Sequence, residues 1–306
     1  MKTEWIIENT NASPANFIHA CDEAYHNKIA DLANDIIKNA TTRPILLISG
    51  PSGSGKTTTA RLTEHFLETT GFRTHVLSLD NYFHSLTDEE RLLFAENKLD
   101  LESPDRLDSE YLNHQLSELH KGNEIELPRF DFLTNSRRNS GETLKLGKNE
   151  VLILEGIHAL NPAVIDADDY TTRVYVSVRT RVELPNGHLL HPSKVRLARR
   201  MIRDARTRGR SPEATVALYE SVERGENLYI MPYKHRAHYD IDTFFPYELG
   251  IHKNFLPASM PETERVHPWL TELFETMALL PKIDPALVPK NSLLREFIGG
   301  GIFEED

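Results

Sequence analysis

Ile45-Leu-Leu-Ile-Ser-Gly50-Pro-Ser-Gly-Ser-Gly-Lys56-Thr57-Thr58 is the stretch on which the fold turns. Ile45–Ile48 is wholly apolar, follows the break at Arg43-Pro44 and is too short for a free-standing helix. That suits a strand buried on both faces of a parallel sheet. The residues after it fit G-x-x-x-x-G-K-[ST], a pattern that has meaning only between such a strand and a helix, which is its setting here. Glycines let backbone N–H groups approach phosphate oxygens with no Cβ in the way, and the helix that follows turns its positive end to the same anion. Gly50, Ser52, Gly53, Ser54, Gly55, Lys56, Thr57 and Thr58 are therefore expected to hold nucleotide phosphates, with the Thr57 hydroxyl on Mg2+.

Working outward, Thr57 to about Thr70 has a helical pattern with Ala60, Leu62, Phe66 and Leu67 inward, ended by Gly71. His75–Leu79, Val151–Leu154 and Arg173–Val178 read as further strands, with short strands at Ile125–Leu127 and Thr143–Leu146 flanking a loop. Residues 86–122 read as helical with a break at Ser103-Pro104. Strands alternating with helices predict an α/β, doubly wound parallel sheet with helices on both faces. Helical character from about Ala15 makes residues 1–40 an N-terminal extension. A proline-punctuated helical pattern (Pro257, Pro261, Pro268, Pro281, Pro285, Pro289) makes 249–306 a C-terminal one, around a core at 41–248.

The 306 residues, 39% apolar and 26% charged, exclude a disordered or fibrous chain. No apolar run approaches the roughly 18–20 residues of a bilayer span, and the amino terminus lacks the apolar core of a secretory signal. One cysteine, Cys21, leaves no disulfide framework, so a reducing, cytoplasmic setting is expected. The net charge of −11 speaks against nucleic acid as a partner, yet Lys194, Arg196, Arg199, Arg200, Arg203, Arg206, Arg208 and Arg210 crowd together. Arg196, Arg199, Arg200 and Arg203 share one helix face, and Ser211-Pro212 marks the start of a second helix. Guanidinium groups on such a pair of helices, about 196–225, suit a mobile lid closing over a triphosphate.

Two carboxylates complete the pattern. Asp80 follows the second strand, and strand C-terminal ends line the ligand crevice of a parallel sheet, where a carboxylate accepts a proton from an attacking hydroxyl or helps hold Mg2+. Glu155 closes the apolar run Val151–Leu154, a place suited to Mg2+ or its water shell. Asn97-Lys98-Leu99-Asp100 spells a guanine-reading tetrapeptide but follows a helical pattern instead of a buried strand, and reads as coincidence.

GPSGSGKTT, SLDNYF, ESPDRLD, LPRFDFLTNSRR, LILEGIHAL and RLARRMIRDARTRGR occur in this order, and together they resemble the uridine kinase and phosphoribulokinase family of P-loop kinases over about residues 44–245. Glu220–Tyr233 and Asn291–Gly300 resemble a bacterial subgroup of uridine-kinase-like nucleoside kinases. The resemblance implies ATP and Mg2+ as cofactors and a nucleoside 5′-hydroxyl as acceptor, uridine or a related nucleoside first. It implies that Asp80 is the base, with Lys56 and Arg203 beside it in catalysis. Asp105 would hold ribose hydroxyls, while Tyr82, Phe130, Phe132, Asn135 and Arg137 would line the acceptor pocket. Arg200 and Arg203 would face nucleoside and phosphate, Arg208 and Arg210 the ATP phosphates, and Thr57, Glu155 and Asp80 the metal. Phe130 and Asn135 stand where the family pattern has tyrosine and histidine, which changes the pocket's hydrogen-bond inventory and leaves base preference open. Thr180–Ser193 is an insertion whose Pro-Asn-Gly step predicts a hairpin at the acceptor site or at a homo-oligomer contact. Two rivals stay open: a phosphoribulokinase-like or other sugar kinase, and an inactive nucleotide-binding regulator.

Overall fold

Ser13 accepts a hydrogen bond from the Asn16 N–H, and with Pro14 in the first turn it separates two amino-terminal helices, α1 (Thr3–Ala12) and α2 (Pro14–Asn39). The structure, a computed structural model, describes residues 1–96, 98–256 and 268–303, so Asn97, Pro257 and Pro261 lie outside the described residues. After α2 come β1 (Ile45–Ser49), the phosphate loop, α3 (Lys56–Thr69) and β2 (Arg73–Ser78). Thr87 and Glu90 form a reciprocal cap at the start of α4 (Asp88–Ala95), and α5 (Ser109–His120) leads into a hairpin of β3 (Ile125–Asp131) and β4 (Ser136–Leu144). Then follow β5 (Glu150–Glu155), β6 (Thr171–Ser177) and a small hairpin of β7 (Val182–Glu183) and β8 (Leu189–Leu190). The chain closes with α6 (Pro192–Arg208), α7 (Pro212–Tyr229), β9 (Tyr239–Asp242), α8 (Glu248–His252), α9 (Pro268–Leu279) and α10 (Arg295–Ile298).

Five strands form one all-parallel sheet in the order β2-β5-β1-β6-β9. Side chains alternate across a strand, so β1 serves two cores. Leu46 and Ile48 face a large cluster holding α2, α3, α6 and the carboxyl-terminal segment, whereas Ile45 and Leu47 face a smaller one with Leu112, Leu116 and Leu119 of α5. Helices on both faces of a parallel sheet are the doubly wound α/β architecture that the alternating pattern predicted.

Three elements differ from expectation. The helical region begins at Thr3, because Ile6 and Thr10 are buried and Trp5 packs edge-on to Phe17, 5.5 Å away; tertiary contact holds a segment of weak periodicity. The edge strand β9 has a single buried apolar residue, Ile241, and gave no run to read. The β3–β4 hairpin extends well beyond the two short strands expected. The insertion does form a hairpin, with Gly187 at φ 81°, but it is covered from two sides. The Met1 ammonium donates to the Arg181 carbonyl at 2.8 Å, and His188 contacts Glu272 of α9 at 2.5 Å. Ile6, Ile18, Leu293 and Phe297 belong to the same cluster as the sheet, so the described parts of both extensions share its core.

Candidate active site

The phosphate loop is tied down by its carbonyls. A Cβ on Gly50 would meet the Val176 carbonyl oxygen at 1.9 Å, and Gly55 adopts φ 88° against the Leu293 side chain. Arg196 Nη1 donates to the Ser52 carbonyl at 3.0 Å, Arg199 Nη1 to that of Gly53 at 3.2 Å, and the Thr243 hydroxyl to that of Ser54 at 2.7 Å. The Ser52 N–H in turn donates to Glu226, at 3.1 Å. With these groups engaged by protein, the loop holds one shape ahead of α3, whose first turn carries Lys56, Thr57 and Thr58.

Lys56, Asp80 and Glu155 converge at one end of the sheet. β2 and β5 are neighbours with Ser78 opposite Glu155, so Asp80, in the turn after β2, lies at the carboxyl end that β5 also reaches. Desolvation lowers the Lys56 ammonium, with Glu155, Glu296 and Asp80 pulling it back up. Desolvation raises Asp80 against the pull of Lys56, and it pushes Glu155 up to about 7. One lysine among carboxylates held partly out of water suits proton acceptance and hard-cation binding. Among the described residues no group of three or more His, Cys, Asp or Glu is placed to hold a metal ion. Mg2+ is ordinarily bound through one or two carboxylates, substrate phosphates and water, and the Thr57 hydroxyl with Asp80 or Glu155 fits that donor set.

The arginine helix is a wall more than a flap. Residues Ser193–Ile202 of α6, where a mobile lid was expected, are all buried. Arg196 is clamped by Glu226 at 2.6 and 2.7 Å, and Arg199, wholly buried, by Glu248 at 2.7 and 3.0 Å. Arg200 Nη1 reaches the Ser52 hydroxyl at 3.1 Å, and Arg203 lies 3.7 Å from Glu296. The Nε atoms of both are buried without a hydrogen-bond partner among the described residues. Arg208 and Arg210 each donate to the buried Asp204 at 3.0 Å, so the pair expected on ATP phosphates already has a carboxylate. Gly209, at φ 59°, ends α6, and Ser211 with Pro212 opens α7 as expected.

The expected acceptor residues differ in exposure. Phe130 is buried and meets Phe83 and Phe132 edge-on at 5.5 and 5.1 Å, while Phe132 is 62% exposed. Asp105 is exposed, accepting only from the neighbouring Ser103 hydroxyl at 3.3 Å. Asn135 takes φ 49° in the hairpin turn beside them. Arg137 stands directly opposite Phe130 in the β3–β4 hairpin, and its Nη1 donates to the Tyr82 carbonyl at 3.4 Å. The Tyr82 ring is buried among Leu79, Leu107 and Leu112, its hydroxyl donating to Gln115 at 2.8 Å. Arg137 stacks 5.2 Å from the Tyr111 ring centre and pairs with Asp108 at 2.7 Å, a contact that holds Asp108 below the usual carboxylate range. Both brace the hairpin. The acidic residues missed include Glu226, Glu248, Glu296 and Glu102, the last pushed to about 7 chiefly by burial. Glu226 and Glu296 lie inside the two subgroup-like segments, the one signal that pointed to them.

A parallel sheet with a phosphate loop at its centre, carboxylates at adjacent strand ends and an arginine helix across the loop makes this chain a P-loop kinase. It belongs to the Phosphoribulokinase / Uridine kinase family, whose model matches residues 45–245. It is 34% identical over 203 residues to a uridine kinase of Staphylococcus carnosus, covering 65% of this chain and 86% of that protein. A uridine kinase of Ligilactobacillus salivarius is 32% identical over 205 residues, covering 65% and 85%. Among solved structures, a putative fructose transport system kinase from Silicibacter superposes with TM-score 0.50 at 18% identity, over 70% of this chain and 98% of that one, a likeness of fold alone. No helix among the described residues is long and apolar enough to cross a membrane.

Proposed function

We propose that the protein transfers the γ-phosphoryl group of ATP to the 5′-hydroxyl of a ribonucleoside, uridine or a close relative. The observation that carries this reading is the convergence of Lys56, Asp80 and Glu155 at the carboxyl ends of the strands, with Arg200 on the Ser52 hydroxyl of the phosphate loop. Asp80 takes the proton from the acceptor hydroxyl. Lys56 and the two arginines hold the phosphoryl oxygens as charge shifts among them, and positioning supplies most of the acceleration. Bound Mg2+ neutralises phosphate charge, held by Thr57 with Asp80 or Glu155. The exposed Phe132 ring beside Phe130 offers a face on which a base stacks, and Asp105 an acceptor for ribose hydroxyls. The rings favour a base as acceptor, but the hairpin also carries Arg137 opposite Phe130, so the test includes a phosphorylated sugar.

The test is ATP consumption with a panel of uridine, cytidine, adenosine, guanosine, ribose and ribulose 5-phosphate. Turnover confined to nucleosides supports the reading. Turnover with the sugars alone overturns the acceptor, and no turnover with any of them favours a nucleotide-binding regulator.

A further inference from the structure

Glu296 belongs to α10, beyond the segment that the family model matches, yet it reaches the phosphate loop. Its Oε2 accepts from the Thr58 backbone N–H at 3.3 Å and from the Thr58 hydroxyl at 2.7 Å. Its Oε1 lies 3.7 Å from Arg203 Nη1. Thr58 is in the first turn of α3, where the N–H groups have no partner within the helix and the helix end favours an anion. In a phosphate loop, this turn and a neighbouring guanidinium are what phosphate oxygens use. A carboxylate already sits there.

The segment around it is packed, and a cavity adjoins the side chain. Leu293 and Phe297 on either side are fully buried, Leu293 against Gly55 and Phe297 under the Arg199 guanidinium, 5.0 Å from the ring centre. Arg206 donates to the Glu296 carbonyl at 3.2 Å. A cavity of about 270 Å³ adjoins the carboxylate, lined by Thr57, Thr58, Arg61, Arg206 and Arg295 among others, so the side chain has room beside it. Two anions cannot share one N–H donor and one guanidinium without repulsion at close range.

We infer that Glu296 is a competing anion built into the phosphate-donor site: it holds the Thr58 donors and Arg203 that nucleotide phosphates take, and so sets how tightly the donor binds. This rests on the reading of the phosphate loop as the ATP site. A helix cap alone is the rival explanation, and the two differ in the effect of charge.

Glu296→Gln keeps the length and one acceptor oxygen for Thr58 and removes the charge. Calorimetric titration of wild type and variant with MgADP, and separately with inorganic pyrophosphate, reads donor binding without any acceptor. The expected result is about three- to tenfold tighter binding of both ligands, which is the size of one ordinary hydrogen bond, with KM for ATP falling. Affinity unchanged within twofold means that Glu296 only caps α3, and weaker binding means that it helps to hold the donor; either overturns the inference. If the glutamine variant does not fold, Glu296→Asp draws the carboxylate back by one methylene and should also tighten binding. Because no acceptor is present, tighter MgADP binding together with an inactive nucleoside panel would sink the acceptor assignment and leave this inference standing.

Discussion

Replacing Arg199 by methionine should cost the fold more than any other single change in the arginine helix. Arg199 is the largest fully buried side chain among the described residues, and its guanidinium serves Glu248, the Gly53 carbonyl and, at 2.5 Å, the Thr243 carbonyl. Methionine fills a similar length but leaves the wholly buried Glu248 carboxylate without a counter-ion. Removing one partner of a buried pair costs about 3–5 kcal/mol. For a chain of 306 residues that corresponds to a fall in Tm of roughly 5–10 °C.

The cost should also depend on pH, in a direction the structure fixes. Burial already raises the Glu248 pKa, and Arg199 is the largest influence pulling it down. Without Arg199 it rises further. A carboxyl whose folded pKa lies above its unfolded value of about 4.3 is most stabilising when protonated, and that contribution is lost as pH rises through the folded value. His252, 3.9 Å from Glu248, does not rescue the charge, because burial more than Arg199 holds it neutral with a pKa of about 3. Thermal unfolding followed by circular dichroism should show a smaller loss at pH 5 than at pH 8, and Arg199→Met/Glu248→Gln should recover more than half of the pH 8 loss. A loss under 1 kcal/mol at pH 8, or an equal loss at both pH values, would refute the reasoning.

Asp80→Asn should slow turnover by roughly 10²–10⁴ while MgADP affinity stays within a few-fold, as steady-state kinetics and calorimetry will show. Near-normal turnover would remove Asp80 from the role of base. Glu155 binds a proton up to about pH 7, so apparent Mg2+ affinity should fall as pH drops through 7, checked by magnesium titrations at pH 6 and pH 8. By the same sign rule, Glu155→Gln should raise Tm at pH 8 and have little effect at pH 5; a loss of stability at pH 8 would contradict the desolvation assigned to it. Gly50→Ala puts a methyl group 1.9 Å from the Val176 carbonyl oxygen and should abolish MgADP binding, with Gly55→Ala doing the same through φ 88° and Leu293. Retained affinity in both would show that the loop shifts more freely than its carbonyl contacts allow.

What was legible in the sequence was whatever a local pattern writes out. The loop, its strand and its helix are contiguous, so spacing alone located them, and the all-apolar strands announced a sheet covered on both sides. Their places at strand ends pointed to Asp80 and Glu155, and the register of β2 against β5 brings them to one end of the sheet. Partners that come from afar were not legible. Glu226 and Glu248 lie 30 and 49 positions from the arginines they hold, and Glu296 lies 238 from Thr58. Nothing in a charge run shows which members face solvent. Tyr82 misled for the same reason: it sits in a motif beside Asp80, but the turn after β2 sends its ring into the core under α5.

The arginine block thus offers far less anion-binding charge than its crowding implies. A buried ion pair resists exchange, because parting it strands a charge away from water, and Arg196 with Glu226 and Arg199 with Glu248 are of this kind. Their task is to hold the loop's carbonyls. Arg208 and Arg210 reach buried Asp204 from more exposed positions. Arg200 and Arg203 differ, with buried Nε atoms that lack a hydrogen-bond partner among the described residues and ion contacts of 3.6 Å to Asp204 and 3.7 Å to Glu296. Loosely paired guanidinium groups at the phosphate loop can trade a carboxylate for a phosphate at small cost in desolvation. The competition is therefore decided by how many carboxylates surround them, and that makes the acidic neighbours, more than the arginines, the place where donor affinity is set.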